Sequence, residues 1–254
     1  MTYCVALNLR DGLVMCADTR TNASLDNIAT FSKLHVIERP GERMIALMTA
    51  GNLAITQAAV TRLTEIIPDI NGNGNGTHGD FEATRATLWT VPSMIEAARL
   101  VGRTIRDLFD EDANNLMRHH VMFDATFLVA GQVGAGKQRL FMVYSAGNYV
   151  ESSPDTPFFQ LGEHKYGKPI LDRVARYDTS IEDAVKLVLI SMDSTLRSNL
   201  TVGLPIDLLT YRRGGLKVDL QRRICEDDAN FRTLRERWSE ALRAGYRSLP
   251  APQW

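Results

Sequence analysis

Three residues near the start of the chain have types that can turn a threonine into a nucleophile. Thr2 follows the initial methionine, Asp18 ends an apolar run, and Lys33 stands just before another. With Met1 removed, Thr2 would carry a hydroxyl and a free α-amine on one residue. An α-amine has a pKa of roughly 7.7–8.0, so a useful fraction is neutral near pH 7. The neutral amine can take the hydroxyl proton directly or through a water, which makes Thr and its own N-terminus a nucleophile–base pair. A cation nearby favours both the neutral amine and the alkoxide-like oxygen. Lys33, with its long stem, is the candidate cation, and Asp18 would hold it charged and oriented. Each residue also has an ordinary reading: a threonine after a methionine, a turn aspartate, a solvated lysine. The three types alone leave both readings open.

Positioning these groups falls to the strands around them. Val5, Leu7 and Leu9 alternate with Ala6 and Asn8, a period of two. Asp11-Gly12 predicts a two-residue turn, and 13–17 reads as a returning strand buried on both faces. That register sets Val5 opposite Asp18, about 10 Å of strand from Thr2, a gap that a lysine side chain can bridge. Runs 34–38 and 43–51 predict a second hairpin, turned by Pro40-Gly41. A helix over 52–67 follows, with Asn52 as N-cap. The stretch 69–80, containing "NGNGNG", reads as a mobile surface loop.

A second helix is expected over 92–109, opened by Pro92. Strands are then expected at 121–131, 139–144 and 156–162, and helices at 166–176 and 180–197. The second of those helices carries Glu182 and Lys186 as an i,i+4 pair. Strands at 205–211 and 216–220 and a helix at 229–244 complete the pass. Strands and helices come in runs, which argues for antiparallel sheets with helices layered outside them, an α+β arrangement, and against a doubly wound parallel sheet. No break in composition divides residues 1–254, so one domain is expected.

Bulk properties narrow the function. The chain has 254 residues, 44% apolar and 23% charged, with a net charge of -1, so nothing favours bulk attraction to nucleic acid or to an anionic membrane. No apolar run approaches the roughly 18 residues of a membrane span, and no secretory signal is read at the N-terminus. Cys4, Cys16 and Cys225 lack metal spacing and fit free thiols in a reducing cytosol. The five histidines lack ligand spacing, so no metal is expected. "GQVGAGK" (131–137) has the look of a phosphate loop but lies between two strands with no helix after it, and reads as a hairpin turn. No G-x-S-x-G is present.

The segments "TYCVAL", "DGLVMCADTR", a lysine before the third strand and "TAGN" resemble, in that order, the beginning of a proteasome-type β-subunit. "MTYCVALNL", "ADTRTNA", "TFSKL", "GEHKYGKPILDR" and "RSNLTVGLPIDLL" are most similar to the bacterial Anbu (ancestral beta subunit) family, and the resemblance spans nearly the whole chain outside the Asn-Gly stretch. It implies a four-layer α-β-β-α sandwich of two antiparallel sheets, an N-terminal-nucleophile hydrolase fold. It also implies a threonine-type peptidase or amide hydrolase that needs no cofactor and acts on a peptide or protein. Self-association into a ring or a helical homo-oligomer in the cytoplasm follows, with helical faces such as that of Trp238 available for contacts. No ATPase partner can be read from the chain.

By the same resemblance Thr2 would be nucleophile and base, Asp18 and Lys33 the charge pair, and Gly51 the donor of a backbone N–H to the oxyanion. Arg20 and Asn22 would line the substrate cleft, with Thr49 near its side-chain pocket. The chain departs from the pattern in the supporting groups. Gly162-Glu163-His164 stands where a serine is usual, and Ser198 and Thr201 take the places of an aspartate and a serine. Those departures leave two other functions open: a catalytically weak assembly or peptide-binding scaffold, and a narrow amidase for a small molecule.

Overall fold

The computed structural model describes residues 1–22, 28–65 and 86–254. The loop expected over 69–80 lies outside the described residues. Twelve strands and five helices follow one another along the described chain. The first half comprises β1 (Tyr3–Asn8), β2 (Gly12–Asp18), β3 (Arg20–Asn22), β4 (Ile28–Thr30), β5 (Leu34–Arg39), β6 (Arg43–Gly51), α1 (Leu53–Thr64) and α2 (Met94–Arg118). The second half comprises β7 (Ala125–Val133), β8 (Arg139–Val143), β9 (Tyr149–Glu151), β10 (Phe158–Gly162), α3 (His164–Val174), α4 (Ile181–Ser198), β11 (Ile206–Arg212), β12 (Leu220–Ile224) and α5 (Ala229–Ser248).

One five-stranded sheet has the order β10-β1-β2-β11-β12, a second has the order β5-β6-β7-β8-β9, and β3-β4 is a small ribbon. All pairings are antiparallel. Successive strand side chains point to opposite faces, and that period divides the core into three interfaces. Cys4, Ala6, Leu13, Met15 and Ala17 of the first sheet meet Met44, Ala46, Met48, Leu128 and Ala130 of the second. Their neighbours Val5, Leu7, Val14 and Cys16 face α3, α4 and α5. On the far side Ile45, Leu47, Phe127 and Val129 face α1 and α2. Three apolar interfaces stack four layers, and this is the α-β-β-α sandwich that the resemblance implies. Each fully buried Leu or Val on these faces contributes about 1.5–3 kcal/mol.

Several expectations need correcting. The first turn falls at Arg10-Asp11 rather than Asp11-Gly12, because Leu9 N–H donates to Gly12 O at 2.8 Å and closes the ladder there. Gly12 is required for close approach instead: a Cβ on it would stand 2.0 Å from the Tyr211 carbonyl oxygen of β11. The register moves accordingly, and Val5 faces Cys16 rather than Asp18. Helix α1 stops at Thr64, before the expected end. Helix α2 starts after an N-cap at Ser93 and runs past 109 to Arg118. Buried Ile105, Leu108 and Ala113 carry its apolar stripe onward, while the acidic residues at 110–112 occupy the exposed face. Residues 121–124 precede β7 rather than joining it.

No strand forms at 216–219, where Gly214 (φ 76°) and Leu216 (φ 48°) turn the chain. The strand there, β12, is exposed at four of its five residues, so no alternation marks it. Short β9 and the β3-β4 ribbon also went unread. Lys186 pairs with Asp183 at 2.6 Å, and Glu182 instead accepts from Arg212 Nη2 at 3.0 Å.

Candidate active site

The corrected register brings the start of β1 beside the end of β2, and the groups of interest gather there. Thr2 is nearly buried, and its carbonyl accepts the Glu163 N–H at 2.7 Å. Gly162 makes this possible. It adopts φ 75°, and a Cβ on it would stand 1.8 Å from Thr2 O, so the close approach of β10 to the N-terminus requires glycine.

Asp18 is fully buried. Its Oδ1 accepts from Lys33 Nζ at 2.7 Å and from Tyr3 N–H at 2.9 Å, and its Oδ2 lies 3.4 Å from Gly203 N. Lys33, 5% exposed, spends its other two protons on Arg20 O at 2.7 Å and Met1 O at 3.3 Å. Its own backbone is tied to β6, since Thr49 N–H donates to Lys33 O at 3.0 Å. Burial pushes the Asp18 carboxyl above its usual range, and the Lys33 ammonium and two backbone N–H groups pull it back. Removing either partner would leave an uncompensated buried charge, at a cost of about 3–5 kcal/mol.

The terminal amine feels the same surroundings. Burial first, then the Lys33 charge, lower the Met1 α-amine from its ordinary value, while Asp18 and Glu163 oppose them. Beneath Thr2, the Tyr3 hydroxyl is buried between Ser191 Oγ and Gln160 Nε2, each at 2.6 Å. Burial raises that phenol well above its usual pKa.

Thr2 and Lys33 lie on a cleft of about 640 Å³ whose walls include Thr21, Thr49, Gly51 and Thr126. Gly51 ends β6 at φ 116°, where a Cβ would stand 2.3 Å from Asp124 O. Asn52 then caps α1, accepting from Ala54 N–H at 3.0 Å. Gly51 thus stands where a helix N-terminus opens onto the cleft, a favourable place for negative charge.

The structure brings Thr2, Asp18, Lys33, Thr49 and Gly51 together, and leaves others apart. Arg20 sends its side chain away from the cleft wall: Nη1 donates to Leu200 O at 2.9 Å, and the guanidinium packs on Gly203. Its backbone carbonyl is what meets Lys33. Asn22 pairs with Ile28 in the ribbon. Glu163 contributes a backbone N–H, while its Oε2 is buried without a hydrogen bond, 3.4 Å from Lys165 Nζ. Ser198 is exposed at the end of α4, and Thr201 turns both N–H and hydroxyl onto Asn199 Oδ1. Residues 201–205 instead act on this end of the sandwich through backbone: Gly203 N–H toward Asp18, and Pro205 O accepting from Thr19 Oγ1 at 2.6 Å. Tyr3, Thr21, Gly203 and Asp124 were missed, because the first and third act through backbone N–H and the other two through wall position, and neither leaves a residue-type signal. Among the described residues no three His, Cys, Asp or Glu gather into a metal-binding group, and no helix is long and apolar enough to cross a membrane.

Comparison with known proteins adds full-length relatives. The chain is similar to the solved structure of an Anbu (Gly-1) mutant from Hyphomicrobium sp. strain MC1, at 45% identity over 100% of both chains with a TM-score of 0.87. It is similar to Anbu (ancestral beta-subunit) from Yersinia bercovieri, at 42% identity over 99% of both chains, with a TM-score of 0.87. It is also similar to a chain in the helical assembly of the Anbu complex from Pseudomonas aeruginosa, at 44% identity over 99% of this chain and 98% of that one, with a TM-score of 0.88. No protein-family model and no curated protein matches.

Proposed function

The chain belongs to the proteasome-like Anbu (ancestral beta-subunit) family, and from that premise we propose that, once Met1 is removed, it is a threonine-type amide hydrolase with Thr2 as nucleophile. The observation that carries this reading is the Lys33–Asp18 pair, bonded at 2.7 Å and nearly sealed from solvent beside Thr2. A buried ion pair adds little to stability compared with apolar packing, so its use here points to a field aimed at the N-terminus.

In the proposed cycle Thr2 Oγ attacks the substrate carbonyl carbon and its proton passes to the Thr2 α-amine. The Lys33 charge favours the neutral form of that amine and negative charge on Oγ; Asp18 orients Lys33. The Gly51 N–H receives the oxyanion of the tetrahedral intermediate at the start of α1. Collapse breaks the C–N bond, and the leaving amine takes the proton from the α-ammonium. Water, deprotonated by the same amine, then cleaves the ester and restores Thr2. Substrate backbone would enter along the wall formed by Thr21 and Thr49.

Intact-mass measurement tests the reading. The expected result is a chain lacking Met1 that gains one equivalent of a hydroxyl-directed electrophile at Thr2. Retention of Met1 throughout the purified population, with no adduct, overturns it.

One observation favours a second reading, a catalytically weak assembly or peptide-binding scaffold. The side chains expected to support the nucleophile do not reach it: Ser198 is exposed and Thr201 is engaged with Asn199. Self-association is proposed in either case, since a relative is described as a helical assembly. Unchanged biological activity of a Thr2→Ala variant would select the scaffold.

A further inference from the structure

The walls of the cleft carry a charge that the hydrolytic cycle does not use. Around Thr2 the walls carry four short hydroxyl side chains, Thr21, Thr49, Thr56 and Thr126, interspersed with Ala50, Asn52 and Leu53. Asp124 stands among them at the mouth, exposed, immediately before β7 and against Gly51. Ser145 fixes it from behind, donating to Asp124 Oδ1 at 3.1 Å and accepting the Ala125 N–H at 3.1 Å. The Asp124 carbonyl is held too, by Asn52 N–H at 2.8 Å.

The other cleft charges are already committed. Lys33 is bonded to Asp18 and to Arg20 O, neither of which is lost when Met1 is removed, and the Arg20 side chain turns away to Leu200 O. Among the described residues, then, the side-chain charge that the cleft offers to a bound molecule is the single carboxylate of Asp124. A fixed anion beside small hydroxyl-bearing walls attracts a cationic side chain, gives it hydrogen-bond acceptors, and repels an acidic one.

We propose that Asp124 is a specificity-determining residue, and that the cleft selects amides whose acyl-side residue carries a lysine- or arginine-like cation. This rests on the reading of Thr2 as nucleophile for turnover, but not for binding. The pair would be solvent-exposed, so the preference for lysine over glutamate is expected to be roughly fivefold, with the neutral glutamine between them. It weakens as salt is raised, because the pair is solvent-accessible.

The experiment uses one short peptide amide in three versions, with Lys, Gln or Glu before the scissile bond. Turnover is measured with the chain starting at Thr2, and binding is measured with Thr2→Ala. Both are repeated with Asp124→Asn and Asp124→Lys, and Asp124→Asn can still accept from Ser145. The expected result is Lys over Gln over Glu in both readouts, levelled by Asp124→Asn and inverted by Asp124→Lys. Turnover of all three peptides at equal rates overturns this proposal and leaves the hydrolase reading standing. Lys-selective binding without turnover of any peptide supports the proposal and counts against the hydrolase. Neither binding nor turnover counts against both.

Discussion

The two ends of the sandwich close in opposite ways. At the end far from Thr2 the sheets are joined mainly by neutral amides, with one carboxylate beside them, Glu38, whose Oε1 accepts the Val218 N–H at 2.7 Å. Gln138 Nε2 donates to Asn8 Oδ1 at 2.7 Å and lies 3.1 and 3.0 Å from the carbonyls of Leu9 and Gly12. Gln132 Oε1 accepts from Tyr211 OH at 2.7 Å and Gly214 N–H at 2.9 Å. At the Thr2 end of the same two strands, Asp18 of β2 accepts the Tyr3 N–H of β1 and pairs with the buried ammonium of Lys33, just before β5. Amide struts tie the far end of β1 and β2 to the second sheet without an ion pair between them. Placing an ion pair at the other end brings a desolvation cost that the amides avoid, and what it adds is an electrostatic field at the first residue of the chain.

The ways to break that contrast run from large to small. Thr2→Ala is expected to abolish amide hydrolysis, on the order of 10⁵-fold in kcat, while chemical denaturation shifts by about 1 kcal/mol or less. Equal turnover by the variant would show that the charged end serves no nucleophile. Lys33→Ala is expected to cost about 3–5 kcal/mol in urea unfolding and to remove activity as well. Gln138→Ala, which removes the donor to Asn8 Oδ1 while Leu9 O keeps Arg213 Nη2 and Gly12 O keeps the Leu9 N–H, is expected to cost about 1–3 kcal/mol and leave kcat unchanged. If the two substitutions affect turnover alike, the ends do not differ in function.

Gly51→Ala sharpens the same comparison within one residue. The new methyl meets Asp124 O in a conformation at φ 116° that disfavours any side chain, so about 1–3 kcal/mol of strain and displacement of the oxyanion donor are expected. Its readout is a fall in kcat larger than any rise in KM. A smaller effect concerns pH. The base must be neutral; burial and then Lys33 lower the Met1 α-amine from its ordinary value, and the Thr2 α-amine, facing the same Lys33 charge once Met1 is gone, is expected to be lowered in the same direction. Activity should therefore be full above that lowered pKa and fall about tenfold per unit as pH drops beneath it. A limb placed above pH 8 would mean that Lys33 does not act on the amine.

The charged end was legible from residue types only as a candidate, and the resemblance was needed to choose it. Thr2, Asp18 and Lys33 were singled out by side-chain type and Gly51 by the resemblance, and the structure brings the four together. The layered fold was legible too, because period-two strands such as 5–9 and helical stripes such as 181–188 follow burial directly. What escaped rests on backbone. The Arg10-Asp11 turn was displaced by the Gly12–Tyr211 approach, which no local pattern encodes. Gly203, Glu163 and Tyr3 contribute N–H groups that any residue carries. Arg20, Ser198 and Thr201 were assigned by their place in the resemblance, and their actual partners, Leu200 O, solvent and Asn199, are fixed by the turn after α4.

The central claim is that the free amine of Thr2 makes this end a catalyst. Its most direct test compares two preparations of one sequence, one released to begin at Thr2 and the other retaining Met1, in hydrolysis of the same peptide amide. The account predicts turnover by the Thr2 form and none by the Met1 form, whose Thr2 nitrogen is an amide and cannot accept a proton. Equal rates from the two forms, or none from either, would contradict it.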